Sequence, residues 1–205
     1  MDVKRSILSG SAGFLDISLD VPENLRAPTI EKFGIDAKAY HRASVRAVNK
    51  TARWYRHQVM SKIAKKYDVP LSAFNARFLI SYARNKDRVA RSALWAGAYD
   101  LDAIHIRGTP MRKGSGLQIG KFFFNRHFYV GAEGRLERYN WHKARAGYYR
   151  REGRARLPIR RLFIPISEDI EQLMFYEIYY EGWKELYKKL GQELNFEQKK
   201  AIGAI

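Results

Sequence analysis

One stretch restricts the fold of this chain more than any other. From residue 36 to 66, Ala37, Tyr40, Ser44, Ala47, Val48, Thr51, Tyr55, Val59 and Ile63 recur at three- and four-residue spacing. That spacing places them on one stripe of a single long helix. Lys38, Arg42, Arg46, Lys50, Arg53, Lys62 and Lys65 fall largely off the stripe. A helix of this length must bury its stripe against something, so the rest of the chain has to supply a matching layer. Asp36 stands where a capping side chain would start the helix. Asp68-Val69-Pro70 ends it, because the residue before proline avoids helical geometry.

The flanking patterns suggest what that layer is. Leu15, Ile17, Leu19 and Val21 alternate with Asp16, Ser18 and Asp20, which predicts a half-buried strand, and residues 22 to 34 read as a connection. Pro70 starts a short helical turn through about Ala76. Residues 78–83 and 89–98 form a hairpin across Asn85-Lys86-Asp87-Arg88. A short strand is expected at Ile104 to Ile106, and residues 107 to 116 read as a glycine-rich loop. Phe122 to Val130 is β-prone, with a turn at residues 131–134. Ile159 to Ile166 is a strand. Ser167 opens a last long helix with apolar positions Ile170, Met174, Ile178, Leu186 and Leu190, and Gly191 closes it. The order predicts an α+β fold, with two long helices packed on an antiparallel β-sheet. We expect one domain over residues 1–205: an N-terminal strand and connection (1–35), helices (36–76), a mainly β region with basic loops (77–166), and a C-terminal helix and tail (167–205).

Charge marks the functional region. The chain carries a formal net charge of +17 in 205 residues. Between Arg107 and Arg161 there are fifteen Lys or Arg against three Glu, whereas Ser167 to Gly191 holds six acids and three lysines. A segment so lopsided needs an acidic partner, either nucleic acid or an acidic protein surface. Its densest part is Arg150 to Arg161, with six arginines around Gly153 and Pro158. Glu152-Gly153 reads as a turn and Pro158 as the entry to an edge strand, so the segment is a basic hairpin arm. Arg135, Arg138, Tyr139 and Trp141 continue the same mixture upstream. With Arg150, Arg151, Arg154, Arg156, Leu157, Pro158, Ile159, Arg160 and Arg161 they form the candidate interface. Arginines with tyrosines and tryptophan suit phosphates and bases, but they are also the favoured anchors of protein interfaces. No base-reading element accompanies them, which favours a protein interface over sequence-specific binding of nucleic acid.

The motifs Arg-Arg-x-Gly-x-x-Arg-Leu-Pro-Ile-x-x-Leu, from Arg150 to Leu162, and Arg46-Ala47-Val48-Asn49-Lys50-Thr51-Ala52-Arg53 resemble those of the minor tail protein Z family. These are the tail completion proteins of long-tailed phages. In order and spacing the resemblance runs from about residue 36 to 167, although residues 132 to 146 are longer and more basic than the family pattern. The resemblance implies a structural virion protein at the head-proximal end of the tail. It would assemble as a homo-oligomeric ring around the DNA channel, beside the tail terminator and connector components, after synthesis in the host cytoplasm. Contact with DNA in the channel would be non-specific. Most of the arm's arginines would meet acids, including Glu177, Glu181 and Glu185 of a neighbour's C-terminal helix.

Other classes find little support in the residues. The chain has no cysteine, which excludes disulfides and thiolate sites. His41, His57, His105, His127 and His142 show no metal-ligand spacing, so no metal is expected. Asp100 and Asp102 read as a turn lead-in, and Glu197-Gln198-Lys199 falls in a helix, where it does not build a nuclease site. No enzyme activity and no cofactor are expected. No apolar run reaches membrane-spanning length. A secretory signal is not expected, because Ser9, Ser11 and Asp16 interrupt the residues after Lys4 and Arg5. The rival readings are a non-specific DNA-binding protein and, behind it, a DNA-processing enzyme. Finally, the triplet Phe122-Phe123-Phe124 cannot point one way on a strand, so one of its rings must cover a second surface.

Overall fold

A computed structural model describes residues 14–131, 146–153, 158–177 and 179–204. The chain divides into two compact units, residues 1–63, 74–99 and 167–205 in the first and 64–73 and 100–166 in the second. Each mixes helix with antiparallel strands or strands with turns, and the whole is α+β.

The first unit is built on α2 (Ala37–Tyr67), whose last turn passes into the second unit. The backbone N–H of Ala39 donates to Asp36 Oδ1 at 2.6 Å, so Asp36 does cap the helix. Tyr40, Ala47, Val48, Thr51, Tyr55, Val59 and Ile63 are all buried. Apart from Ala37, which is exposed in the first turn, the stripe predicted from spacing is therefore the face that packs. β1 (Phe14–Asp20), β2 (Phe78–Ser81) and β3 (Arg91–Gly97) form an antiparallel sheet in the order β1-β3-β2. Its inward residues include Ile17 and Leu94, which face each other in register, and Phe78 opposite Ala96.

Two elements of this unit differ from the sequence expectation. Residues 22 to 34 are not a simple connection, because α1 runs Arg26–Phe33 and ends at Gly34 in the left-handed conformation with φ 59°. The helix has no fully buried residue, so it left no apolar stripe to detect, and Pro28 sits in its first turn, where a missing N–H is harmless. The C-terminal helix is also interrupted and longer than expected. α3 (Ser167–Gln172) leads through a π-helical turn (Leu173–Glu177) into α4 (Tyr179–Ala201). Gly191 lies inside α4 and does not terminate it. Leu186, Leu190 and Leu194 continue the buried stripe across that glycine, and this packing overrides its weak helix propensity.

In the second unit, β5 (Met111–Lys113), β6 (Gly116–Ile119) and β7 (Phe122–Asn125) make an antiparallel meander. Residues 107 to 116 thus hold a hairpin rather than a loop. Lys113 pairs with Gly116 across a two-residue turn in which Gly114 takes φ 55°, a conformation that glycine adopts without steric cost. β5 is exposed throughout, so it carried no alternation in the sequence. β4 is Leu101–Asp102, followed by a single 3-10 turn at Ala103–His105 where a strand was expected. Of the phenylalanine triplet, Phe122 and Phe124 stack on one side at 6.3 Å, with Tyr67 beyond Phe122 at 6.5 Å. Phe123 turns the other way and is 53% exposed. β8 (His127–Val130), β9 (Gly147–Arg151) and β10 (Ile159–Arg161) form a sheet in the order β10-β9-β8. The expected strand from Ile159 to Ile166 is shorter and serves two sheets, since β11 (Phe163–Ile164) pairs with β4.

Candidate functional site

The arm is a hairpin, as its glycine and proline suggested. Ile159 faces Arg151, Arg160 faces Arg150 and Arg161 faces Tyr149, and the N–H of Glu152 donates to the Pro158 carbonyl at 3.3 Å. Because β8 pairs with β9, the rows extend across three strands. His127, Arg150 and Arg160 stand side by side, and so do Phe128, Tyr149 and Arg161. Like charges directly opposite each other are unfavourable in a sheet. Two responses are visible. Arg160 pairs with Glu152 at 2.5 Å. His127 has its pKa lowered, first by burial and then by the Arg150 charge, against the carbonyl of Asn125, which acts the other way. The imidazole therefore stays neutral where a free histidine would begin to protonate.

The predicted site residues separate into distinct groups. Arg161 is an internal strut: it reaches Asp102 at 2.6 Å and the Ala146 carbonyl at 3.1 Å, and lies over Tyr149. Asp102 also accepts from the Ile104 N–H at 3.1 Å, so this carboxylate serves a turn and an ion pair. Arg160 is held by Glu152, Ile159 is half-buried and Pro158 is exposed. Arg150 and Arg151 are exposed, and among the described residues neither has a carboxylate partner; Arg151 rests 5.9 Å from the Phe128 ring centroid. Arg135, Arg138, Tyr139, Trp141, Arg154, Arg156 and Leu157 lie outside the described residues.

Sequence reasoning placed only Arg151 of this surface in the candidate interface and missed its two other arginines, Arg112 and Arg126. A cleft of about 1170 Å³ is lined by Arg112 of β5, Arg126 between β7 and β8, His127, Phe128 and Tyr129 of β8, and Arg151 of β9. Arg126 takes φ 59°, a left-handed conformation uncommon for a residue with a side chain, and its N–H donates to the Ser115 carbonyl at 3.0 Å. The one available signal was Asn125-Arg126, a polar pair that breaks the aromatic run.

A second cavity, of about 550 Å³, lies in the first unit against Tyr40, His41 and Ser44. Much of its charge is already engaged. Arg26 pairs with Glu23 at 3.2 Å, Arg42 with Glu197 at 2.8 Å, and Asp87 accepts from the Arg84 N–H at 2.7 Å. The cleft beside the hairpin is the more open to a charged partner.

The helical motif proves to be architectural. Asn49 mimics a strand neighbour: its amide donates to the Ala83 carbonyl at 2.9 Å and its oxygen accepts from the Ala83 N–H at 2.9 Å and from Ser92 Oγ at 2.5 Å. Arg46 reaches Glu193 at 2.5 Å and Glu197 at 2.6 Å, while Lys50 pairs with Glu193. Both glutamates are buried, at 6% and 3% exposure. Burial alone would raise their pKa values, but the hydrogen bonds from Lys50, Arg46 and Arg42 outweigh it and hold both carboxyls below the usual range. No cluster of histidine and carboxylate ligands suited to a metal occurs among the described residues. No helix among them is long and apolar enough to cross a membrane.

The described residues of the two motifs brace a scaffold that leaves part of an arginine-rich surface open. The class of protein, a structural component of a phage tail, comes from comparison with known families. The model of the prophage minor tail protein Z family matches residues 29–202, and the chain belongs to that family. No curated protein and no solved structure matches the chain.

Proposed function

We propose that this tail protein completes the tail at its head-proximal end. There it assembles as a ring around the DNA channel, next to the tail terminator and connector components. The observation that carries this reading is the division of the arm. Arg160 and Arg161 are paired with acids within the fold, while Arg150 and Arg151 are left exposed beside them without a carboxylate among the described residues. Exposed guanidinium groups beside two paired ones suit register-specific contact with acids of adjoining subunits. A lumen lined by many free arginines would instead grip passing DNA, since each phosphate contact adds salt-dependent affinity. Contact with DNA is therefore minor and non-specific, and the role needs neither a cofactor nor a catalytic step.

The test is a phage lacking this chain, complemented with the wild-type protein or with Arg150→Ala/Arg151→Ala. Electron microscopy of particles carrying labelled wild-type protein should place it where tail meets head. The double variant should fold but yield fewer joined particles. Label elsewhere along the tail would refute the reading. So would strong binding of the purified chain to duplex DNA with a steep salt slope, which would favour a non-specific DNA-binding protein.

A further inference from the structure

We infer that the cleft of Arg112, Arg126, Phe128, Tyr129 and Arg151 is a docking site for an extended acidic peptide segment of a neighbouring tail or neck protein. The inference rests on the tail-component reading above and adds the chemistry of the partner. Three guanidinium groups line the cleft, one each from β5, from the β7–β8 connection and from β9. Among the described residues, the one carboxylate on its wall, Glu152, is already paired with Arg160. An entering group that carries negative charge is thus the one complementary to it.

Shape selects among anions. A volume of about 1170 Å³ is room for a short stretch of extended chain. A duplex presents phosphates on a stiff convex surface and does not enter a concavity of that size. Carboxylates match the planar fork of arginine in two parallel hydrogen bonds. Phe128 and Tyr129 add apolar wall on which the stems of Glu or Asp and intervening apolar residues can rest. Arg126 supplies a separate indication. Its left-handed backbone is the kind of local strain that persists where a side chain must be aimed, and here it occurs at a residue lining the cleft.

The same backbone offers a clean test. Arg126→Gly removes the guanidinium and relieves the conformation at once, so it does not threaten the fold. The full-length chain is titrated with a fluorescein-labelled peptide of alternating Glu and Leu, and in parallel with a duplex oligonucleotide and a single-stranded one of matched charge. The expected result is saturable peptide binding, weakened about threefold or more by Arg126→Gly and about tenfold or more by Arg112→Ala/Arg126→Gly/Arg151→Ala. Thermal unfolding of Arg126→Gly should be unchanged or higher. Lys65→Ala, an exposed cation on α2, should leave binding intact. Peptide binding that is equal in the triple variant overturns the inference. So does an oligonucleotide that binds more tightly than the peptide and loses its affinity in the triple variant. The outcome is separable from the function above. A protein found at the tail end whose cleft ignores acidic peptides refutes the docking site alone. A cleft that takes the peptide in a protein located elsewhere refutes the tail-end role alone.

Discussion

Replacing Arg46 by alanine isolates the bracing between α2 and α4. The guanidinium spans two carboxylates, with Nε 2.5 Å from Glu193 and a terminal nitrogen 2.6 Å from Glu197. Both acceptor side chains are almost wholly covered, at 7% and 3% exposure, while Arg46 is 34% exposed. Breaking a fully buried pair costs about 3–5 kcal/mol, because the remaining charge is stranded. Each glutamate keeps one cation, Lys50 or Arg42, and Arg46 is partly solvated, so the expected loss falls to about 2–3 kcal/mol. Urea unfolding of the purified chain measures it as a shift in midpoint at constant slope. The sign with pH follows from the same groups. Both carboxyls are held below their ordinary value of 4.5, so this stabilisation is complete above that value. It is lost as pH falls through the depressed folded values, because the unfolded chain then binds more protons. The variant should lose only part of this acid sensitivity, because Lys50 and Arg42 still hold the two carboxyls down. A cost below about 0.5 kcal/mol, typical of exposed pairs, would refute the view that this network is a buried brace.

Two other substitutions probe the scaffold. Val59→Asp places an unpaired charge in the fully buried stripe of α2 and should abolish cooperative unfolding, whereas Lys62→Asp on the half-exposed side should leave a folded chain by circular dichroism. Asn49→Asp keeps the shape but turns a carboxylate oxygen toward the Ala83 carbonyl in place of a donor; thermal unfolding should show a loss of about 2–4 kcal/mol, and an unchanged midpoint would mean that the Asn49 bridge does not hold the β2 end.

The scaffold was legible wherever a buried face repeated along the chain. α2 and β1 followed from period, because each buries one side, and the β2–β3 pair followed from two apolar runs joined by a polar turn. What escaped had no such signature. α1 lies on the surface, β5 is exposed throughout, and the π-helical turn before α4 has no sequence code of its own. Gly191 looked like a helix end, yet long-range packing of Leu190 and Leu194 decides the matter, and a single sequence does not display long-range packing. The candidate site was legible as composition but not as geometry. Nothing in the string of arginines said that Arg161 would be spent on Asp102, or that Arg112 and Arg126 would join Arg151 around one cleft.

That redistribution of charge bears on what the arm can meet. The sequence put basic residues of α2 off its apolar stripe, as if for solvent. Three of them, Arg42, Arg46 and Lys50, instead consume the two buried acids of α4. Of the acids considered as partners for a neighbour's arm, Glu185 already pairs with Lys188 at 3.7 Å and Lys189 at 3.1 Å within its own helix. The Glu177 side chain lies outside the described residues, so Glu181, which is exposed, is the one described acid of the three that remains available. Of those three acids, the one available among the described side chains does not balance Arg112, Arg126, Arg150 and Arg151. A ring held through the described ones of those acids alone would therefore leave most of that charge uncompensated, at the repulsive cost expected of close like charges. The imbalance favours an acidic segment from a different protein at the hairpin surface, with contacts between copies made largely elsewhere. Exposed aromatic residues such as Tyr176, Tyr180 and Trp95 supply the kind of amphipathic anchor such contacts use.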